Sequence, residues 1–260
     1  MRFTIFAAIV FFALGGMKAQ ESNSNPIKEG QVVYEEVRKL DIKLEGDAAQ
    51  FAHMLPTENK SSKTLYFNDE VALYKKSDKK EEAGTVQEVV QSEGMMVQVQ
   101  MVEPDNKTFT LFKKNRQIEQ REFMTRMFLI DRKLTVPNWK FTGNSKPILN
   151  YNCMEATCED SDGKMIRAWF SPEIPVPAGP DTIGNLPGMV LAVDFDNGQR
   201  TIIATSVKVG PVDEKLLKKP RKGKKVSEEK YKAIVEEKMK EMGTEGGQGG
   251  AIHTVIDVRR

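Results

Sequence analysis

From Gly30 onward, apolar and polar residues exchange places every second position more often than every third or fourth. That alternation describes strands with one face buried. In the first strand Val32, Tyr34, Glu36 and Arg38 interleave with Val33, Glu35, Val37 and Lys39, and further strands are predicted over residues 63–67, 71–75, 85–91, 95–102, 108–113 and 121–129. One short helix is predicted between the first two: Asp47 is a good N-cap, Ala48 to Leu55 follow, and Pro56 is a stop signal. Asn68-Asp69-Glu70, Pro104-Asp105-Asn106, Ser161-Asp162-Gly163 and Asp196-Asn197-Gly198 supply residues that tolerate tight or positive-φ backbone. The last two predict antiparallel hairpins, 151–157 with 165–170 and 189–195 with 200–207. Many short strands and few helices make the expected fold mainly β, a meandering, curved antiparallel sheet or half-barrel with a short helix in the N-terminal half and one at the C-terminus.

Both ends depart from the alternation. Met1-Arg2, an apolar run over 3–14 and Gly15-Gly16-Met17-Lys18-Ala19 read as a secretory signal peptide with cleavage after Ala19. The expected organisation is a signal peptide over 1–19, a disordered linker over 20–29 and a β-rich domain over 30–210. No cysteine stands at the cleavage boundary, so the mature chain is expected to be soluble in the periplasm or cell envelope, with no transmembrane segment. Beyond the domain, a basic loop (211–226) carries Lys215, Lys218, Lys219, Arg221, Lys222, Lys224 and Lys225; it reads as an anionic docking patch or as a solvated loop. Ser227 then caps a helix (227–242) whose Tyr231, Ile234, Val235, Met239 and Met242 form one apolar stripe. A Gly-rich linker (243–250) leads to a final strand (251–260), expected to return to the sheet.

Composition narrows the function classes. The 260-residue chain is 39% hydrophobic and 29% charged, ordinary for a globular protein able to bury its own core. Cleavage removes Arg2 and Lys18 and no acid, which leaves basic and acidic residues equal in number. A neutral chain has no whole-molecule field to recruit nucleic acid. His53 and His253 lack metal-ligand spacing, and no nucleophile elbow, Walker loop or dinucleotide fingerprint is present. No catalytic residue and no cofactor is therefore assigned. Cys153 and Cys158 are the only cysteines. In an oxidising compartment they are expected to pair, yet five residues of straight strand would hold them roughly 16 Å apart on opposite faces. The disulfide therefore requires a bulge or kink between them. The alternative is a soft-metal site at Cys153, Met154 and Cys158, ligands that suit Cu(I).

Prolines mark one further segment. Ser171-Pro172-Glu173-Ile174-Pro175-Val176-Pro177-Ala178-Gly179-Pro180 cannot be a central strand, because each proline removes a ladder donor. It is expected to be an ordered crossover, leading into Asn185-Leu186-Pro187-Gly188-Met189 with a type II turn at Pro187-Gly188. Together with Tyr151-Asn152-Cys153-Met154-Glu155-Ala156-Thr157-Cys158, Phe128-Leu129-Ile130-Asp131 and Trp139-Lys140, this segment resembles the GLPGLI family of exported Bacteroidetes proteins over about residues 30–210. Departures are Asn185 for the first Gly, Met189-Val190 for Leu-Ile, and Asp181-Thr182-Ile183 where an aromatic stretch is common. The resemblance implies an exported cell-envelope protein without an established activity, with a curved sheet similar to that of outer-membrane lipoprotein carriers. The expected function is a non-enzymatic binding or accessory protein that uses the concave face of the sheet for an apolar ligand or a partner segment. The alternative is a structural or interaction component of a surface or secretion assembly.

Overall fold

The computed structural model describes residues 27–40, 56–78, 87–92, 95–241 and 253–259. The helix expected at 47–55, the signal peptide, most of the linker after it and the Gly-rich linker lie outside these residues. The first half contributes β1 (Gly30–Lys39), β2 (Glu58–Phe67), β3 (Val71–Lys76), β4 (Gln87–Ser92), β5 (Met95–Val102), β6 (Lys107–Leu111), β7 (Arg116–Phe123) and β8 (Arg126–Lys133). The second half contributes β9 (Lys140–Ile148), β10 (Tyr151–Glu159), β11 (Met165–Ser171), β12 (Met189–Phe195), β13 (Arg200–Val209) and β14 (Lys224–Val226), then α1 (Glu228–Glu241) and β15 (His253–Arg259). Twelve strands form one open sheet in the order β14-β8-β7-β6-β3-β2-β1-β13-β12-β11-β10-β9. The mainly-β expectation holds.

β1 is the seam of this sheet. It pairs with β2 on one side and with β13, more than 160 residues later in the chain, on the other, so that two antiparallel meanders join along it. Register shifts at Val33/Tyr34, Met154/Ala156 and Trp169/Phe170 bend the strands and curve the sheet. The inner face carries the main core, in which Val32, Tyr34, Leu65, Phe67, Ile202 and Leu191 are buried together. Tyr34 brings a hydroxyl into that core and donates it to the Val190 carbonyl at 2.7 Å. Both predicted hairpins form, β10 with β11 and β12 with β13, and Asp196, Asn197 and Gly198 all take positive φ in the second.

Other elements differ from expectation. The strand predicted over 121–129 is two strands, because Met124 and Thr125 take φ of 49° and 63° and turn β7 back along β8 as a two-residue hairpin. Thr is β-branched and seldom adopts positive φ, so its identity hid the turn. β9, an edge strand exposed along nearly all its length, lacks a buried face and hence any alternation to read. The basic segment is not a free loop: it contains a 3-10 turn, Glu214–Leu217, and then β14, which pairs in parallel with β8. The final strand, β15, pairs with β5 in a separate three-stranded sheet with β4. The expected cap is present, with the Ser227 hydroxyl accepting from Lys230 N at 3.2 Å, while no residue of α1 is fully buried.

The crossover between β11 and β12 folds back over the inner face. Ile174, Val176 and Ala178 join the main core, while Ile183 and Leu186 join a second cluster with Phe170 and Val190. Its backbone is hydrogen-bonded to the start of β12, with Met189 N on Ile174 O and Val190 N on Ala178 O, both at 2.9 Å. The expected type II turn is instead an i to i+2 turn about Pro187, Gly188 N donating to Leu186 O at 2.7 Å. Gly188 has φ +152°, and a Cβ there would stand 2.1 Å from the Ser171 carbonyl oxygen, which belongs to backbone and cannot move aside. Gly188→Val is therefore expected to cost about 1–3 kcal/mol or more, read as a lower urea unfolding midpoint; an unchanged midpoint would mean that the crossover is not part of the cooperative core.

Candidate functional site

Charged side chains on the inner face of the β1–β8 half form one chain of alternating sign. The strands place them there by their pleat: Glu36 shares a face with Tyr34, Arg200 with Ile202, and Glu119 and Arg121 with the cross-strand partners Thr108 and Phe128. Arg38 and Arg200 donate to Glu36 Oε1 at 3.0 and 2.7 Å. Arg200 continues to Asp181 Oδ2 at 3.0 Å, and Asp181 Oδ1 accepts from Arg121 at 2.9 Å. Arg121 and Arg132 then share Glu119, at 2.8 and 2.9 Å, and Arg132 also donates to Gln117 at 2.6 Å. At the end of this chain Glu228 of α1 lies 3.7 Å from Arg132.

Asp181 is the member supplied by the crossover. Burial works to raise its pKa, but the charges and hydrogen bonds of Arg121 and Arg200 outweigh burial and hold it far below the usual carboxylate range. Glu36 follows the same logic: burial raises it, and Arg200 above all, with Arg38 and Lys63, brings it below its ordinary value. Burial would discharge Arg121 and Arg200, but their carboxylate neighbours keep them charged. The four arginines and their carboxylates are thus paired with one another, and Asp181 ties the crossover to β7 and β13.

The crossover occupies the face to which the sequence assigns an apolar ligand. Among the described residues the space between it and β3, β6 and β7 is about 10 Å³, room for no more than one water. Ile174, Val176, Ala178 and Leu186 of the crossover fill this face with buried apolar side chains. Asn185 takes φ of 60° in the family-motif turn, where its backbone N donates to Pro177 O at 3.1 Å, so that turn is built into the fold.

Cys153 and Cys158 are free and buried, which corrects the expected disulfide. Against β11 the strand keeps a regular ladder from Met154 to Glu159, so an odd separation sends the two thiols to opposite faces. Cys153 packs with the main core, Cys158 with Ala156, Ala168 and Phe170. The irregularity expected between them does exist, but its extra residues are in β9, where Met154 faces Ser145 and Ala156 faces Phe141. The three residues of the soft-metal alternative do not share a face of β10: Met154 is exposed, its neighbour Cys153 is buried, and no group of three His, Cys, Asp or Glu side chains that could hold a metal occurs among the described residues. Burial raises both thiols to a pKa of about 11.

The outer face holds an open cleft of about 380 Å³. Leu73, Lys75, Lys107 and Gln120 form its floor, and residues 215–222 of the basic segment form its other wall. The segment is pinned at both ends. Asp213 caps the 3-10 turn, and Leu217 packs on the outer-face cluster of Leu73, Phe109, Ile118 and Leu129. Pro220 is buried, and a Cβ on Gly223 would stand 2.8 Å from the Phe128 carbonyl carbon, so only glycine lets the segment approach β8 this closely. Lys75 pairs with Asp78 at 2.6 Å and Lys107 with Asp105 at 3.1 Å. Lys215, Lys218, Lys219, Arg221 and Lys222 also line the cleft, which contains no carboxylate among its lining residues. The basic run was legible in the sequence; the contribution of Lys75 and Lys107, more than 100 positions earlier in the chain, was not.

The residue pattern of a family described as the N-terminal domain of N-glycanase peptide (PNGase F-II) matches residues 58–233. The chain belongs to this family. In the N-glycanase N-terminal domain family, the matched stretch takes in Asp181, Arg121, Arg200 and the whole basic segment, and leaves β1 with Glu36 before its start. Two crystal structures of PNGF-II, in space groups C2 and P21, share the fold with TM-scores of 0.53 and 0.51 at 17% identity, each over 80% of this chain. The chain spans about a third of their length, 32% and 33%. No curated protein matches it. Among the described residues no helix is long and apolar enough to cross a membrane.

The inner-face charges and the thiols can each be tested. Asp181→Ala removes the carboxylate that Arg121 and Arg200 share, while Glu119 and Glu36 still pair with them, and should cost about 1.5–3 kcal/mol, measured by denaturant unfolding. Because Asp181 and Glu36 are depressed in the folded state, their contribution is complete above the unfolded carboxylate pKa of about 4 and is lost as pH falls through the folded values. Wild-type stability should therefore fall below about pH 4, and more steeply than in Asp181→Asn; parallel pH profiles would remove Asp181 as the cause. Intact mass after alkylation without reductant should show no modification of the native protein and two modified thiols after unfolding, whereas unfolded protein that resists alkylation would restore the disulfide.

Proposed function

We propose that this protein is an exported, non-catalytic binding or accessory module that acts on glycan-bearing partners in the cell envelope. One observation carries this reading: the match over residues 58–233 is to the N-terminal domain of an N-glycanase, and the chain spans a third of PNGF-II. A domain of that kind is suited to recognition, and the sequence carries no catalytic motif. The signal peptide at 1–19 and the resemblance of the 171–191 segment to the GLPGLI family support export. The crossover seals the inner face, so recognition falls to surfaces that remain open, the outer face above all.

The test uses an N-glycosylated glycoprotein and its deglycosylated form. Immobilised protein should retain the first and not the second, and incubation should release no glycan detectable by mass spectrometry. Glycan release would overturn the non-catalytic reading. Equal retention of both forms would overturn glycan recognition and favour a structural role in a surface or secretion assembly.

A further inference from the structure

The cleft on the outer face has three properties that are independent of one another. It is concave, about 380 Å³, within the roughly 300–1,000 Å³ of small-ligand sites. Its lining charge is of one sign: Lys218, Lys219, Arg221 and Lys222 make no ion pair with another described residue, and no carboxylate is among the lining residues. Its cationic wall is also held in place, by Leu217 on the outer-face cluster before it and by Gly223 and β14 on β8 after it. A solvated lysine run needs none of this anchoring, and a preorganised one loses less side-chain and loop freedom on binding.

We propose that this cleft binds an anionic oligosaccharide, its sulfate, phosphate or carboxylate groups meeting Lys218, Lys219, Arg221 and Lys222 and its sugar rings resting on the aliphatic stems of Lys75 and Lys107. The saccharide rests on the glycan-recognition reading above; the anionic character rests on the cleft alone. Lysine and arginine stems offer apolar surface beneath charged heads, which suits a ring that carries an oxyanion at its edge. Two other polyanions fit less well. A lipid surface calls for cations beside an exposed apolar anchor, and none of the exposed large hydrophobics belongs to residues 211–226, Leu217 being packed on the outer-face cluster and Leu216 half-buried. Nucleic acid calls for a broad positive field, and the whole chain carries only +2.

The experiment titrates the full mature chain with a heparin-derived sulfated hexasaccharide and with its fully desulfated, N-acetylated counterpart. The sulfated probe should bind, more weakly as salt is raised, and the desulfated probe should not. A variant carrying Lys218→Gln, Lys219→Gln, Arg221→Gln and Lys222→Gln should bind about tenfold or more weakly at an unchanged melting temperature. A charge-matched control with Lys230, Lys232, Lys238 and Lys240 of α1 changed to Gln should bind as wild type. Equal binding of both saccharides, an unaffected cleft variant, equal losses in cleft variant and control, or no binding at all would each overturn the proposal. So would cleft-dependent capture of phosphatidylglycerol vesicles or duplex DNA in place of the saccharide. If glycoprotein retention in the preceding test persists in the cleft variant, the glycan reading stands and the site assignment fails; sulfated-probe binding without glycoprotein retention has the reverse meaning.

Discussion

Asp181 between Arg121 and Arg200 is the contact on which the rest of the structure depends. Two guanidinium groups on the inner face of the sheet, one on β7 and one on β13, are largely removed from water and must find a carboxylate. Each has one carboxylate on the sheet, Glu36 for Arg200 and Glu119 for Arg121, and the one they share comes from a proline-rich segment that has to cross the face to deliver it. Once Asp181 is seated, Ile174, Val176 and Ala178 are drawn over the core, and Val190 O lies where Tyr34 can donate to it. The same ion pairs tie the β1–β8 meander to the β9–β13 meander across the seam at β1. The crossover thus works as a third layer made from connecting chain.

Closing one face leaves the other open. An open inner face would have resembled a ligand-carrying half-barrel, and the curvature that suggests such a carrier is present here. What curvature encloses in this protein is its own backbone, hydrogen-bonded along Ile174–Met189 and Ala178–Val190. On the outer face the opposite holds. The chain passes over β3, β6, β7 and β8 with its apolar residues turned down and its cations turned out, and parallel pairing of β14 satisfies the backbone that the lysines need as a rigid support. The resulting field is local, since the chain as a whole is close to neutral.

Much of this was legible in the order of residues, and the reasons are local. The two hairpins follow from Asp-Gly and Asn-Gly chemistry between alternating runs. Likewise, α1 follows from a serine cap and acidic first turn. Four prolines within nine positions exclude a central strand at 172–180 whatever surrounds them. Where prediction failed, the local signal was missing or pointed the other way. Met124 and Thr125 are poor turn residues forced into positive φ by the pairing of β7 with β8. The cysteines carried a compartment argument, and the regular β10–β11 ladder, which puts them on opposite faces, overruled it.

By itself the sequence determined the fold class, the strand alternation, the capped helix and the basic character of residues 215–225, because each is a property of neighbours within a few positions. Only the tertiary structure decided that Asp181 faces Arg121 and Arg200, 60 and 19 residues away along the chain. The cleft is of the same kind, since Lys75 and Lys107 reach it from β3 and from the edge of β6. Charge pairing and cleft formation are set by distances in space. In a sheet whose seam joins its first strand to its thirteenth, those distances bear no relation to distance along the chain.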